Sequence, residues 1–122
     1  AVWGLQTFRQ LLQWEESRAR FVLPGLPLQF DDAPAYPWRG LMLDTGRHFL
    51  PVADIKRTIE GMSLLKLNVF HWHLTDAQSF PFASRRFPHL AERGAFHPSL
   101  VYTPDDVRAV VAHAADLGVR LC

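Results

Sequence analysis

Apolar residues near the N-terminus have the spacing of a helix. They stand three or four positions apart at Leu5, Phe8, Leu11 and Leu12. This spacing predicts a helix over residues 2–18 with one buried face. Residues 21–38 then hold four prolines. Because proline removes a backbone donor and disfavours helix at the preceding residue, we expect an extended, irregular linker there.

The middle of the chain alternates short apolar runs with a helical pattern. The run RGLMLDTG, residues 39–46, predicts a strand buried on both faces, and residues 68–74 predict a second strand. Between them a helix is expected to begin near Pro51. Its apolar face comprises Val52, Ile55, Ile59, Met62 and Leu65. A polar and aromatic loop should extend from the second strand to about Tyr102.

A further helix with clear ends is predicted over residues 103–118. Thr103 suits the N-cap, Pro104 the first helical position and Gly118 the termination. The last residues, VRLC, predict a strand that is just beginning. This order of strands and helices is typical of a parallel sheet covered by helices. In such sheets the loops at the carboxyl ends of the strands carry the chemistry.

Composition and charge narrow the class of protein. The 122 residues are 48% hydrophobic and carry a net charge of +1, with no cluster of basic residues. This balance gives no electrostatic footprint for nucleic acid or an anionic membrane. No apolar segment approaches the ~20 residues of a membrane span, and no signal peptide is recognisable. The chain starts inside a helical pattern and ends in a strand pattern, so we expect an excerpt of a longer protein.

Two charged residues follow the predicted strands and form a candidate site. Arg47 comes after the first strand and Asp76 after the second, so both are expected at one edge of the sheet. The planar fork of an arginine can bind vicinal hydroxyls of a ligand. Alternatively, Arg47 forms an ion pair with an acidic residue on the surface, and Asp44 and Asp76 only cap the ends of the strands. The residues alone leave both interpretations open.

The second strand carries a histidine pair. His71 and His73 share one face and Trp72 lies on the other, because side chains alternate along a strand. Two imidazoles with a nearby Asp are an admissible zinc half-site. Alternatively, the two histidines are packed within the strand and make ordinary hydrogen bonds.

Four motifs together resemble the β-N-acetylhexosaminidases of glycoside hydrolase family 20. They are, in order, RGLMLDTGRHFLP, KLNVFHWHLTDAQSFPF, FPHLAERGAF and YTPDDVRAVVAHAADLGVRL, and the N-terminal VWGLQTFRQLL is similar to the helix that ends the family's non-catalytic domain. The resemblance implies that residues 1–36 are the end of that domain with a Pro-rich linker. Residues 37–122 would be the first part of a catalytic TIM barrel. It would be incomplete, with two βα units and the start of strand three, since a full (β/α)₈ barrel takes about 250 residues.

The resemblance also implies an activity. Family members remove terminal N-acetylglucosamine or N-acetylgalactosamine from glycoconjugates or chitooligosaccharides by substrate-assisted retaining hydrolysis, without a metal or other cofactor. Arg47 matches the arginine that grips sugar hydroxyls. Asp76 matches a carboxylate that supports the catalytic Glu through a downstream histidine, while Ala77 replaces a frequent second acidic residue. His71 and Trp72 would serve packing.

The family's Asp-Glu pair is expected beyond Cys122, because this chain contains no Asp-Glu dipeptide. The chain alone should therefore be inactive and need the rest of the barrel or a complementary chain. A lysosomal or secreted location is expected only because it is usual for members of this family. Two other functions stay open: a non-catalytic carbohydrate-binding or interaction fragment, and a metal-dependent TIM-barrel hydrolase that uses His71 and His73.

Overall fold

The structure is a computed structural model that describes residues 2–122, so residue 1 of the predicted N-terminal segment lies outside the described residues. The chain forms two compact units, one ending at Pro37 and the other extending from Trp38 to Cys122. The helices are α1 (Val2–Leu11), α2 (Val52–Leu64), α3 (His89–Gly94) and α4 (Pro104–Asp116). The strands are β1 (Gln13–Glu15), β2 (Arg20–Val22), β3 (Gly40–Asp44), β4 (Val69–His73) and β5 (Arg120–Leu121).

The N-terminal unit corrects the predicted first helix. Helix α1 ends at Leu11, and the next residues form the antiparallel pair β1–β2 instead of continuing the helix to residue 18. The Trp14 and Phe21 rings meet across the two strands at 5.1 Å, and aromatic cross-strand pairs of this kind stabilise a sheet. Ala19 turns the chain with a left-handed φ of 46°.

The predicted buried face of α1 is also wrong for this chain. No residue of α1 is buried, and Leu5 and Phe8 are 67% and 50% exposed. The reason is that residues 2–37 provide no second layer that could cover this face. The Pro-rich segment after β2 is confirmed as irregular, since residues 23–39 contain neither helix nor strand.

The second unit is a parallel sheet with helices packed on it, as predicted. The strand order is β3-β4-β5, with β4 in the centre. Helices α2 and α4 lie on one face of the sheet. The core residues are Ile55, Ile59, Met62, Phe70, Trp72, Tyr102, Val110, Ala114 and Val119. Helix α2 begins after Pro51, as expected, and buries three of its five predicted face residues.

Two burial predictions in this unit are wrong. Strand β3 is not buried on both faces, because Leu41 and Met42 are 41% and 51% exposed. It lies at the edge of the sheet, and the helices cover only one face. Leu65, predicted on the α2 face, is 74% exposed. The helix has already ended at Leu64, and the chain then turns through Lys66 with a φ of 58°.

The predicted loop before Tyr102 contains a short helix that the sequence pattern does not predict. Helix α3 occupies residues 89–94, and the Phe80 N–H donates to the Gly94 carbonyl at 2.9 Å. Phe82 bridges to Tyr102 beside it. The six-residue helix has too few turns to give an apolar period, and its contact with Phe80 is one that the local sequence does not signal.

Helix α4 begins and ends as predicted. The Asp106 N–H donates to Thr103 Oγ1 at 3.1 Å, and the Thr103 N–H donates to Asp106 Oδ2 at 2.8 Å, which together form a capping box. Gly118 adopts a φ of 72° just after the helix. None of the helices found between residues 2 and 122 has the length and apolarity that crossing a membrane would require.

Candidate functional site

The candidate site lies where β3 and β4 end side by side. Asp44 and His73 are paired in the parallel register, so the two loops begin at the same level of the sheet. The N–H groups of Thr45 and Gly46 both donate to the His73 carbonyl at 3.0 Å. The loop after β3 is therefore fastened to the end of β4.

Buried contacts also fix the position of the loop after β3. Thr45 is fully buried, and its Oγ1 accepts the indole N–H of Trp72 at 2.7 Å. Gly46 lies against the loop after β4, where a Cβ atom would stand 3.1 Å from the carbonyl carbon of Thr75 and 3.2 Å from the nitrogen of Asp76. Since both neighbours are backbone atoms, a side chain at Gly46 would separate the two loops. The close approach brings Arg47 and Asp76 together.

Arg47 is held by the carboxylate of Asp44. Asp44 Oδ1 accepts the backbone N–H of Arg47 at 3.0 Å, and Asp44 Oδ2 accepts from Nε and Nη2, each at 2.5 Å. Arg47 Nε also lies 3.7 Å from Asp76 Oδ2. The Arg47 side chain is 50% exposed. The guanidinium thus sits between two carboxylates and still reaches solvent.

Asp76 is fixed by two further contacts. His73 Nε2 lies 2.8 Å from Asp76 Oδ2, and the Ala77 N–H donates to Asp76 Oδ1 at 2.5 Å. The Asp76 and His73 side chains are 20% and 30% exposed. Both oxygens of Asp76 therefore have local partners within the loop that carries them.

These contacts favour the ionised state of both carboxylates. The hydrogen bond from His73 lowers the pKa of Asp76, and the Ala77 N–H and the charge of Arg47 lower it further. The backbone N–H of Arg47 lowers the pKa of Asp44, assisted by the Arg47 side chain, while Asp44 in turn raises the pKa of Arg47. The Arg47 guanidinium therefore faces two carboxylates that are ionised at neutral pH.

The two histidines of β4 have different surroundings. The rings of His71 and His73 are 6.1 Å apart on the face of β4 opposite to the buried Trp72, as the alternation predicts. His73 contacts Asp76, whereas His71 lines an open cavity of about 460 Å³ with Met42 and Cys122. Across residues 2–122, no three His, Cys, Asp or Glu side chains converge as a metal site would need. In the described part of the chain, His71, His73 and Asp76 are therefore not gathered into one such group.

The sequence pattern identifies neither Asp44 as the partner of Arg47 nor a definite role for His73. The structure makes Asp44 the nearest side-chain partner of Arg47 and His73 the nearest side-chain partner of Asp76. The spacing of three residues in each pair was a signal for both contacts. It was a weak one, because the same spacing occurs in ordinary ion pairs of this chain such as Asp54–Arg57.

The parallel sheet with its helices makes this an α/β protein. At the carboxyl edge of the sheet, a guanidinium held between two carboxylates forms a site suited to a polar, hydroxylated ligand. The model of the glycosyl hydrolase family 20 catalytic domain matches residues 36–122. The chain belongs to this family, as the motifs predicted.

Named relatives support the same assignment. The chain is 43% identical over 118 residues to a chitooligosaccharidolytic beta-N-acetylglucosaminidase of Bombyx mori, covering 97% of this chain and 20% of the relative. It is 49% identical over 118 residues to a probable beta-hexosaminidase of Drosophila melanogaster, covering 97% and 18%. The crystal structure of Flavobacterium johnsoniae chitobiase superposes with a TM-score of 0.83 at 39% identity, covering 97% of this chain and 17% of that one. The chain thus spans about a fifth of the length of these relatives.

Proposed function

We propose that this chain is part of a glycoside hydrolase that removes terminal N-acetylhexosamine residues from glycoconjugates or chitooligosaccharides. The observation that carries the proposal is the Arg47 guanidinium, held between Asp44 and Asp76 with part of its fork open to solvent. Family membership and the names of the relatives support the choice of sugar. Lysosomal or secreted residence is part of the same proposal.

We further propose that residues 37–122 are the first part of a (β/α)₈ barrel and that residues 1–36 end a preceding domain. Strands β3 and β4 would be the first two barrel strands and β5 the start of the third. The alternation of parallel strands with α2 and α4 supports this arrangement. The partner that completes the sheet would be the remainder of the barrel, or a complementary chain.

In the proposed reaction the 2-acetamido oxygen of the substrate attacks the anomeric carbon, the glycosidic C–O bond breaks, and the leaving oxygen takes a proton from a catalytic Glu. Water then attacks the anomeric carbon of the oxazolinium intermediate, its proton passes to the Glu carboxylate, and the bond to the acetamido oxygen breaks, with overall retention. The acidic pair that assists would come from later in the full-length protein. From this chain, Arg47 would bind hydroxyls of the terminal sugar. Asp76, kept ionised by its contacts, would act through a histidine on the protonation of the Glu.

Kinetics of the full-length protein test these roles. Arg47→Lys keeps the charge and loses the planar fork, so kcat/KM on a chromogenic N-acetylglucosaminide should fall by roughly ten- to a hundredfold. Arg57→Lys is the matched control, because Arg57 makes a single contact with Asp54 on the exposed face of α2. Its kcat/KM should stay within about twofold of the wild type. Both variants should melt close to the wild-type temperature.

Asp76→Asn removes the charge of the supporting carboxylate and leaves the proposed sugar contacts in place. Its main effect should therefore be on kcat and on the pH profile of kcat rather than on KM. If Arg47→Lys and Arg57→Lys are equally active, the assignment of Arg47 is wrong. If Arg47→Lys and Asp76→Asn lose activity only in proportion to lost folded protein, both residues are structural.

A further inference from the structure

We infer that Asp44 is a positioning residue for Arg47: it holds one edge of the guanidinium so that the opposite edge is presented to the ligand. The inference rests on the proposed function, since it concerns how that sugar site is prepared. Asp44 would not touch the substrate itself. It would act by fixing the orientation of the residue that does.

The contacts of Asp44 use one side of the Arg47 fork only. An arginine side chain has five N–H donors in one plane. Nε and one donor of Nη2 are directed to Asp44 Oδ2, while Asp44 Oδ1 takes the backbone N–H of Arg47. Among residues 2–122, no acceptor pairs with Nη1. Both donors of Nη1 and the second donor of Nη2 therefore remain for a ligand. One N–H of each nitrogen forms the outer edge of the fork, and this pair matches two vicinal hydroxyls.

Asp44 is better placed for this task than Asp76. The distance from Arg47 Nε to Asp76 Oδ2 is 3.7 Å, which exceeds a hydrogen bond, and both oxygens of Asp76 are bound within their own loop. Asp44 is the last residue of β3 and is paired in register with His73, so its backbone is fixed by the sheet. Groups carried on strands are placed more precisely than groups carried on loops.

The other arginine pairs with this spacing in the second unit differ from this one. Asp54 makes one side-chain contact with Arg57 and is 44% exposed, and Asp105 makes one with Arg108 and is 80% exposed. Asp44 is 22% exposed and binds its arginine through both the backbone and the side chain. Holding a long side chain before the ligand arrives removes part of the ordering cost of binding. The pair is thus built for orientation rather than for surface charge balance.

A double-mutant cycle in the full-length protein tests the inference. The four proteins are the wild type, Asp44→Asn, Arg47→Lys and the double variant, assayed on a chromogenic N-acetylglucosaminide. Asp44→Asn keeps an acceptor for the Arg47 backbone and loses the charge that orients the fork, so kcat/KM should fall by about tenfold, mainly through KM. In the Arg47→Lys background the same change should cost less than about twofold, because the fork is already absent. Asp54→Asn, which removes the partner of Arg57, is the control and should leave kcat/KM unchanged.

The outcomes separate this inference from the proposed function. If Arg47→Lys itself has no effect, the proposed sugar contact is wrong and the positioning role falls with it. If Arg47→Lys lowers kcat/KM and Asp44→Asn does not, or if the two losses multiply in the double variant, only the positioning role is overturned. Should Asp44→Asn fail to fold, Asp44→Glu replaces it in the same cycle. Its loss should likewise disappear in the Arg47→Lys background, and a loss that persists there overturns the inference.

Discussion

Replacing Gly46 by alanine is the most direct perturbation of the contact between the two loops of the site. A Cβ atom at Gly46 would lie 3.1 Å from the carbonyl carbon and 3.3 Å from the Cα atom of Thr75, and 3.2 Å from the Asp76 nitrogen. Carbon atoms in ordinary contact are roughly 3.5–4.0 Å apart. The loops would therefore have to separate by a few tenths of an ångström. All three neighbours are backbone atoms, so no side chain can rotate away.

The hydrogen bonds of the loop oppose this separation. The N–H groups of Thr45 and Gly46 hold the His73 carbonyl at 3.0 Å, and Trp72 holds the buried Thr45. Overpacking of this kind costs about 1–3 kcal/mol of the free energy of unfolding. The separation would also move Arg47 away from Asp76. Since a misplacement of about 1 Å can cost a hundredfold in rate, we expect a smaller loss of roughly two- to tenfold in kcat/KM.

Thermal melting and kinetics of the full-length protein measure both effects. Gly61→Ala is the matched control, because a Cβ atom at Gly61 meets nothing within 4 Å in the interior of α2. Alanine is the better helix former by about 0.8–1.0 kcal/mol, so this variant should melt higher than the wild type with unchanged kcat/KM. A Gly46→Ala variant that melts at or above the wild-type temperature would refute the reasoning about the loop contact.

Two further predictions concern stability. The buried Tyr102 hydroxyl donates to the Leu50 carbonyl at 2.5 Å and accepts the Leu50 N–H at 3.0 Å. Tyr102→Phe should therefore lower the free energy of unfolding by about 1–3 kcal/mol. An unchanged denaturation midpoint would contradict this prediction. Hydrogen bonds lower the pKa values of Asp44, Asp76 and Asp106 in the fold. The unfolded state then binds more protons at acid pH, so the stability from these groups is present above about pH 4 and is lost as the pH falls through their folded pKa values. Asp106→Asn should make the melting temperature less sensitive to pH in that range, and an identical pH dependence in the variant would contradict the assignment.

Local sequence determined the elements whose signals lie within a few residues. The ends of helix α4 could be predicted because Thr103 and Asp106 cap its start and Gly118 follows its end. The parallel sheet followed from continuous apolar runs separated by helical periods. Family membership could also be predicted, since it depends on the order of several long motifs, and it is confirmed. The roles of Arg47 and Asp76 stay predictions.

Only the tertiary structure decided burial and partners. An apolar run does not say whether another layer lies above it, so the exposure of Leu41 and Met42 depends on the edge position of β3. The apolar face of α1 is likewise exposed because residues 2–37 provide no layer that covers it. Asp44 and His73 are distant in sequence, and it is the β3–β4 register that places their loops together. From Asp44 and Arg47 alone, the residue spacing could not distinguish a surface ion pair from an oriented guanidinium, because that difference lies in the neighbouring strand and not in the segment itself.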